Sequence, residues 1–160
     1  MRLVSNSGPI LSFARANRLD ALNAVVVELF IPEAVYDDIV IAGQGKAGAR
    51  EVADAGWIRR THLTDTSSAD RLSLRLHAGE RQAIALAREL KLPLLVDERE
   101  ARKVASALGL TFLGSLRILR EAKRLGVITE IKPLVHELTS AGMYISDVIL
   151  HNFLREVGES

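Results

Sequence analysis

Acidic side chains lie at three places along this sequence where they could together bind a metal ion. Asp97 and Glu98 directly follow the clearest buried strand pattern, so rigid backbone fixes at least one of these carboxylates. Glu80 lies at the start of the clearest helix pattern, where the helix dipole favours an anion. Asp37 and Asp38 lie on a predicted helix after an earlier strand. If these groups converge, two carboxylates about 5 Å apart repel by roughly 3 kcal/mol at an effective dielectric constant near 20, and a cation must offset the repulsion.

The available ligand atoms indicate which cation this is. Oxygen ligands without histidine or cysteine favour Mg²⁺ or Mn²⁺ over zinc. The chain has no cysteine, and its four histidines show no paired ligand spacing, so we expect these to be surface or core residues. Each acid also has a structural explanation, with Glu80 as a helix cap and Glu98 as the i,i+4 ion-pair partner of Arg102. It is their combination at matching strand ends that favours a metal site.

The composition is that of an ordinary folded protein. Its 160 residues fit one domain, and 48% hydrophobic and 26% charged residues lie close to the globular average. Because 21 Lys and Arg balance 20 Asp and Glu, any nucleic-acid binding must come from a local basic patch. The lack of cysteine suits a reducing cytosol, and we find no signal peptide and no run of about 18 apolar residues. We therefore expect a soluble cytoplasmic protein with no membrane partner.

Short strand-like runs alternate with helical patterns along the whole chain. This alternation predicts an α/β fold, a three-layer α/β/α sandwich with a mostly parallel central sheet, in a single domain over 1–160 with C-terminal helices from about 131. Strands are predicted over 3–5, 27–31, 57–63, 92–96 and 111–113. Helices are predicted from Pro9, over 18–25, from Pro32, over 49–55, around Leu72 to Leu76, and over 79–90, 99–108, 115–124, 131–140 and 147–157. Ligands of such sheets collect outside the carboxyl ends of the strands, where the first and fourth strands are followed by polar residues.

Five stretches of the chain follow one another in an order and at spacings that are typical of one known family. They are "VSNSGPILSFARANRLDAL", "LFIPEAVYDDI", "GERQAIALARELKLPLLVDEREARKVASALGL", "FLGSLRILREAKRLG" and "GMYISDVILHNFLREVGE". With these stretches the chain resembles the PIN-domain family, close to the VapC-like toxin ribonucleases and to the branch described as predicted nucleic-acid-binding proteins. The resemblance implies an acidic quartet that binds one or two Mg²⁺ or Mn²⁺ ions, and hydrolysis of RNA by metal-activated water that attacks phosphorus in line.

The resemblance also assigns the acidic positions. It implies metal-binding and catalytic roles for Asp38, Glu80 and Asp97, with Glu98 as the usual acidic neighbour. The first family acid falls at Asn6, an amide that keeps one acceptor oxygen but removes a full negative charge, so we expect weaker metal binding and water activation. Asn6 could be an engineered inactivating change, a natural weak variant, or the mark of a PIN-like protein that binds nucleic acid or an antitoxin without cutting. Read without the family, Asn6 could also be a turn residue that bonds nearby backbone.

Substrate and partner residues complete these expectations. The basic residues that flank the acids and could hold RNA phosphates are Arg81, Arg99, Arg102 and Lys103. The resemblance places Ser7 and Ser115 at the mouth of the sheet, where they could donate hydrogen bonds to the substrate. For the four basic residues, a solvated helix face is the alternative. The resemblance further implies a homodimer and a cognate antitoxin. The apolar residues that could supply such an interface, unless they simply cover the sheet, are Val148, Ile149, Phe153 and Leu154.

Two other classes of protein are disfavoured. The loop "GQGKAG" matches a dinucleotide-binding pattern at Gly43, Gly45 and Gly48. A true fingerprint follows a strand directly, whereas Pro32 and the apolar spacing after it predict a helix, so we favour a mobile loop. Haloacid-dehalogenase and receiver domains require an aspartate after an early strand, where this chain has Asn6.

Overall fold

Five parallel strands form the centre of the molecule in the computed structural model, which describes all residues from 1 to 160. The strands are β1 (Arg2–Ser5), β2 (Glu28–Ile31), β3 (Ile58–Arg60), β4 (Leu94–Leu95) and β5 (Phe112–Leu113). Their order across the sheet is β3-β2-β1-β4-β5, and every neighbouring pair is parallel. In register, Leu3 of β1 lies beside Leu29 of β2, and Ser5 lies beside Leu95 of β4.

Ten α-helices and one π-helical turn connect and cover the strands. The helices are α1 (Ser7–Arg15), α2 (Leu19–Val25), α3 (Glu33–Tyr36), α4 (Ala49–Asp54), α5 (Ser67–Asp70), α6 (Ala78–Leu90), α7 (Arg99–Ala107), α8 (Ser115–Arg124), α9 (Lys132–Ser140) and α10 (Asp147–Glu156), and the π-helical turn is Asp37–Ile41. None of these helices combines the length and the hydropathy that a membrane crossing requires. The α/β/α sandwich with a parallel sheet is thus confirmed.

Each face of the sheet has its own apolar core. Successive residues of a strand point to opposite faces, so Leu3 and Val4 enter different clusters. Leu3 joins the larger cluster, which includes Phe13 of α1 together with residues of α2, α8, α9 and α10. Val4 joins the smaller one with Ile84 of α6 and residues of α7. Because helices cover both faces, apolar residues follow one another without alternation in β1, β4 and β5.

Proline and glycine mark two helix ends, where the sequence favours Pro9 in a first turn and Gly109 just after a helix. Pro9 lies in the first turn of α1, where its missing N–H removes no helical bond. Gly109 follows α7 with a φ of 72°, the left-handed conformation that glycine adopts readily after a helix. The N–H of Leu110 then donates to the carbonyl of Ala105 at 2.9 Å and closes the helix end.

The prediction of a helix around Leu72 to Leu76 is wrong, because this stretch is not helical in the structure. Only the four-residue α5 forms, and it ends before this stretch. Leu74 is 85% exposed while Leu76 is buried, an alternation that follows from irregular backbone and not from one helix face. Ser73 Oγ accepts the N–H of Arg75 at 3.3 Å, a local bond that competes with helical hydrogen bonding.

Two strands are shorter than predicted. The strand predicted over 57–63 is confined to Ile58–Arg60. The strand predicted over 92–96 is confined to Leu94–Leu95, since Pro93 has no N–H to donate to a neighbouring strand. Pro93 still contributes its carbonyl, which accepts the N–H of Val4 at 3.0 Å. The helical spacing of apolar residues in α6 predicts a buried seam of Ala83, Ile84, Ala87 and Leu90, but Leu90 is exposed at the last turn of that helix.

Candidate functional site

The carboxyl ends of β1 and β4 meet in the middle of the sheet. The chain places β2 and β3 on one side of β1, and β4 and β5 on the other. In open α/β sheets, ligands bind in the crevice at such a switch of direction. Asn6 follows β1 at this point, and Asp97 lies two residues beyond the end of β4.

Asn6 is a buried side chain with an unpaired acceptor. The residue is 4% exposed, and its Oδ1 has no hydrogen-bond partner. Asn6 precedes α1 as its N-cap, yet its side chain makes no capping hydrogen bond. The structure therefore does not contain the local hydrogen bond to backbone that a turn role of Asn6 would require. A buried acceptor without a partner costs about 1–3 kcal/mol, which indicates that this position is shaped for a partner outside the chain.

Asp38 reaches the same edge of the sheet from the π-helical turn. The wider turn is closed by the N–H of Ala42, which donates to the carbonyl of Asp37 at 2.7 Å. Such turns are frequent at functional sites. The Oδ2 atom of Asp38 accepts a hydrogen bond from Ser7 Oγ at 3.2 Å. Because Ser7 is the first residue of α1, this bond joins the π-helical turn to the helix that begins at the switch point.

Glu80 and Glu98 form a carboxyl pair between α6 and α7. Glu80 is 7% exposed in the first turn of α6, whereas Glu98 is exposed and precedes α7 as its N-cap. Burial raises the pKa of Glu80 to about 7, and the charge and hydrogen bond of Glu98 act in the same direction, against His77. Without a bound cation, the buried carboxyl of Glu80 therefore binds a proton more readily than an exposed glutamate does. A divalent cation beside it would favour the charged form instead.

Asp97 is held in place by hydrogen bonds. Ser115 donates to it twice, from its N–H to Oδ1 at 2.8 Å and from its Oγ to Oδ2 at 2.6 Å. Arg102 lies 4.0 Å from Oδ1 and donates to the carbonyl of Val96 at 3.0 Å. The alternative ion pair between Glu98 and Arg102 is thus not formed, because the guanidinium is directed at Asp97 and Val96. These contacts fasten the end of β4 to the start of α8.

The acidic side chains share one edge of the sheet but do not form a single closed cluster. No group of three or more Asp, Glu or His side chains is placed to hold a metal ion without other ligands. The oxygens divide into three pairs, which are Asp38 with Ser7, Glu80 with Glu98, and Asp97 with Ser115. The amide oxygen of Asn6 is a further potential metal ligand at this edge. All of these potential ligand atoms are oxygens, so their chemistry fits Mg²⁺ or Mn²⁺.

The predicted phosphate-binding residues lie on α6 and α7 beside the acids. Arg81 follows Glu80 along α6, Arg99 is the first residue of α7, and neither forms an ion pair. Arg102 is partly engaged by Asp97, and Lys103 pairs with Glu100 at 3.4 Å. Two of the four cations are therefore free to meet a phosphate, and contact with RNA stays a prediction for all four.

The two predicted serines each orient a carboxylate. Ser7 is half-buried and bonds Asp38, while Ser115 is fully buried and bonds Asp97. Their contact with substrate stays a prediction.

Two glycines lie beside the carboxylates, and the sequence analysis did not identify either as a site residue. A Cβ atom at Gly79 would lie 3.0 Å from Asp38 Oδ2, and one at Gly114 would lie 2.9 Å from Asp97 Oδ1. Gly79 carried no signal, because it begins the predicted helix over 79–90 and glycine is unfavourable mainly in the interior of a helix. No pattern pointed to Gly114, which lies between a strand and a helix as loop glycines often do.

The glycine-rich loop lacks the setting of a dinucleotide site. A π-helical turn, not a strand, precedes Gly43, as the sequence predicted. An open depression beside the loop is lined by Lys46 and Arg50, and it includes none of the predicted site acids.

The fold is an α/β/α domain with carboxylate and amide oxygens beside the switch point of its sheet. A family model described as a PIN domain matches residues 2–159, which is nearly the whole chain. The chain therefore belongs to the PIN-domain family, whose members are generally nucleases and typically use divalent metal ions. No curated protein matches the sequence.

Proposed function

We propose that this protein is a metal-dependent endoribonuclease of the VapC-like toxin type, which hydrolyses RNA phosphodiester bonds with Mg²⁺ or Mn²⁺. The observation that carries the proposal is the buried, unpartnered Oδ1 of Asn6 at the switch point of the sheet. An ion shared with Asp38 and Glu80 would give this oxygen the partner that the chain itself does not supply. Membership in the PIN-domain family supports the nuclease chemistry.

The side chains at this edge have distinct roles in the proposed reaction. Asn6, Asp38, Glu80 and Asp97 would hold the ion through oxygen atoms, and Glu98 would accept a proton from the attacking water. When bound, the ion polarises the phosphoryl oxygen and lowers the pKa of the water that attacks phosphorus. In hydrolysis the water oxygen forms a bond to phosphorus, the bond from phosphorus to the leaving oxygen breaks, and the leaving oxygen takes up a proton from solvent.

Substrate contact in this proposal relies on positive charge around the acids. Arg81 and Arg99 lie at the starts of α6 and α7, with Arg102 and Lys103 one turn further along α7. Cations in these positions would neutralise phosphates on either side of the bond that is cut. Aromatic residues make up 4% of the chain, so we expect base stacking to contribute little.

A catalytically inactive protein that binds nucleic acid or an antitoxin is the second candidate. Two observations favour it, the amide at Asn6 and the lack of three carboxylates placed to hold an ion together. Both reduce the negative charge that attracts a divalent cation.

Cleavage of diverse RNA by the purified protein, with Mn²⁺ or with EDTA, distinguishes the two candidates. For the nuclease, Asn6→Asp should raise the Mn²⁺-dependent rate by about tenfold or more, because it adds a charged ligand, and EDTA should abolish cleavage. Asn23→Asp on the exposed side of α2 is the matched control and should leave the rate unchanged. If neither the parent nor Asn6→Asp cuts any RNA, the nuclease is excluded, and retained RNA or antitoxin binding would then support the second candidate.

A homodimer and a cognate antitoxin complete the proposal, in a cytoplasmic setting. Of the apolar residues of α10, Phe153 and Leu154 are buried in the core, whereas Val148 and Ile149 are 71% and 57% exposed. The exposed pair is available for a partner, and the buried pair covers the sheet. Light scattering should give a dimer mass for the parent chain and a monomer mass for Val148→Asp. A parent that is monomeric at all concentrations would contradict the homodimer.

A further inference from the structure

Gly79 lies in the first turn of α6, where an added Cβ atom would be in tight contact with a side chain of the site. A Cβ atom there would meet Asp38 Oδ2 at 3.0 Å, Val35 Cγ2 at 3.4 Å and Ser7 Oγ at 3.8 Å. The backbone of Gly79 is helical, a conformation that alanine adopts more readily than glycine. It is therefore the neighbouring carboxylate, and not the backbone, that requires glycine here.

Gly114 repeats this arrangement at the start of α8. Its φ of −113° and ψ of 178° are extended and open to any residue. A Cβ atom there would collide with the guanidinium of Arg102 and would lie 2.9 Å from Asp97 Oδ1. Again the obstacles are the ends of side chains at the carboxyl edge of the sheet.

The nature of the obstacle separates these two glycines from Gly43. A Cβ atom at Gly43 would collide with the backbone carbonyl of Ile39, which cannot move without the π-helical turn. At Gly79 and Gly114 the obstructing atoms belong to side chains that can rotate away. An added methyl group at Gly79 would thus displace the carboxylate of Asp38, and one at Gly114 would displace the guanidinium of Arg102 and press on the carboxylate of Asp97, with the backbone left in place.

We propose that Gly79 and Gly114 are positioning residues of the metal site, whose missing side chains leave the space in which the carboxylates of Asp38 and Asp97 are held. The inference rests on the proposed function, because it assigns both glycines to that site.

The test is Mn²⁺ affinity by titration calorimetry together with thermal unfolding in EDTA. Gly79→Ala should bind Mn²⁺ about tenfold more weakly, as expected when the orientation of a ligand is disturbed. Its metal-free melting temperature should be unchanged or higher, because alanine is the better helix former. Gly114→Ala should also weaken binding, without losing cooperative unfolding. Gly56→Ala is the control, since no atom lies within 4 Å of its added Cβ, and both of its values should equal those of the parent.

A double substitution shows whether Gly79 acts through Asp38. Asp38→Ala empties the space that the new methyl group needs, so adding Gly79→Ala to it should cause no further loss of affinity. Equal Mn²⁺ affinity for the parent and Gly79→Ala would overturn the inference, and so would a melting temperature that falls together with affinity. A further loss of affinity in the double variant would also overturn it. If the parent itself binds no Mn²⁺, the proposed metal site fails, and the inference fails with it.

Discussion

Asn6 joins two properties that rarely occur together in a folded chain, deep burial and an acceptor without a donor. The apolar run before it and the polar residues after it predict a position at a strand end. The missing partner could not be predicted, because it depends on how α1 and the neighbouring helices close around the side chain. For the same reason the sequence could suggest a local turn bond, which the structure does not contain.

Replacing Asn6 by aspartate should destabilise the metal-free protein and strengthen its response to metal. A buried carboxylate without a partner costs more than a buried amide, so we expect Asn6→Asp to lose about 1–3 kcal/mol of unfolding free energy in EDTA. Mn²⁺ should restore this loss, because the added charge becomes a ligand. Urea unfolding with EDTA and with Mn²⁺ measures both effects. If the unfolding free energy of Asn6→Asp is the same with EDTA and with Mn²⁺, no ion binds at this position.

Glu80 should make the metal-free protein less stable as the pH rises from about 4.5 to about 7. The pKa of its carboxyl is raised above the unfolded value, so the stabilising contribution is fully present below the unfolded pKa and is lost as the pH rises through the folded pKa. Allowing for solvent near Glu98, we expect this contribution to be about 1–2 kcal/mol. Glu80→Gln should flatten this part of the stability profile in EDTA. A profile identical to that of the parent would show that Glu80 titrates normally.

The candidate acids were predictable as a set, and their pairing was not. Strand and helix patterns place Glu80 and Asp97 at element ends that face one edge of a parallel sheet. Whether their oxygens then meet depends on the angles at which α6, α7 and the π-helical turn pack, and one sequence does not encode these angles in any local pattern. The structure accordingly gives separate pairs in place of the expected shared pocket.

At the scale of elements, the π-helical turn is the feature that brings Asp38 to the site. Gly43 follows it, and a Cβ atom there would collide with the carbonyl of Ile39. Gly43→Ala should therefore destabilise the protein by about 1–3 kcal/mol, because the turn must shift to relieve the overlap. Thermal unfolding beside the exposed control Gly56→Ala checks this. Equal melting temperatures for the two variants would show that the π-helical turn shifts without loss of stability.

Elements with one dominant signal were predicted well, and elements with competing signals were not. The apolar seam of α6 and the glycine after α7 each point to one structure. The stretch from Leu72 to Leu76 offers leucines at every second position, which fit neither a helix face nor a strand that has a place in the sheet. There the hydrogen bond between Ser73 and Arg75 decides the outcome.

At the scale of the whole molecule, Glu159 fastens three helices together near the end of the chain. Its carboxylate accepts the N–H of Lys132 at 2.9 Å and that of Ile131 at 2.8 Å, and it pairs with Lys123 at 2.7 Å. It thus joins the segment after α10 to the first residues of α9 and to α8. Burial acts to raise the pKa of Glu159, but the hydrogen bonds from Lys123 and the two backbone N–H groups outweigh it and lower the pKa.

Glu159→Gln should lower the unfolding free energy at pH 7 by about 1–2 kcal/mol, because the charged partner of Lys123 and of the helix start is lost. Since the folded pKa is depressed, the contribution of Glu159 is present above the unfolded pKa and is lost as the pH falls through the folded value. The two proteins should therefore converge in stability at acid pH. Glu156→Gln, which removes an exposed ion pair with Arg120, is the control and should change stability little.

The account as a whole requires one divalent ion at the switch point of the sheet, bound by oxygens from separate elements. Paramagnetic broadening of backbone amide signals by substoichiometric Mn²⁺ tests this directly. We predict that the signals of Asn6, Asp38 and Glu80 broaden first, and that EDTA restores them. Broadening centred on another acidic stretch, such as that from Asp65 to Asp70, or no selective broadening at all, would contradict the account.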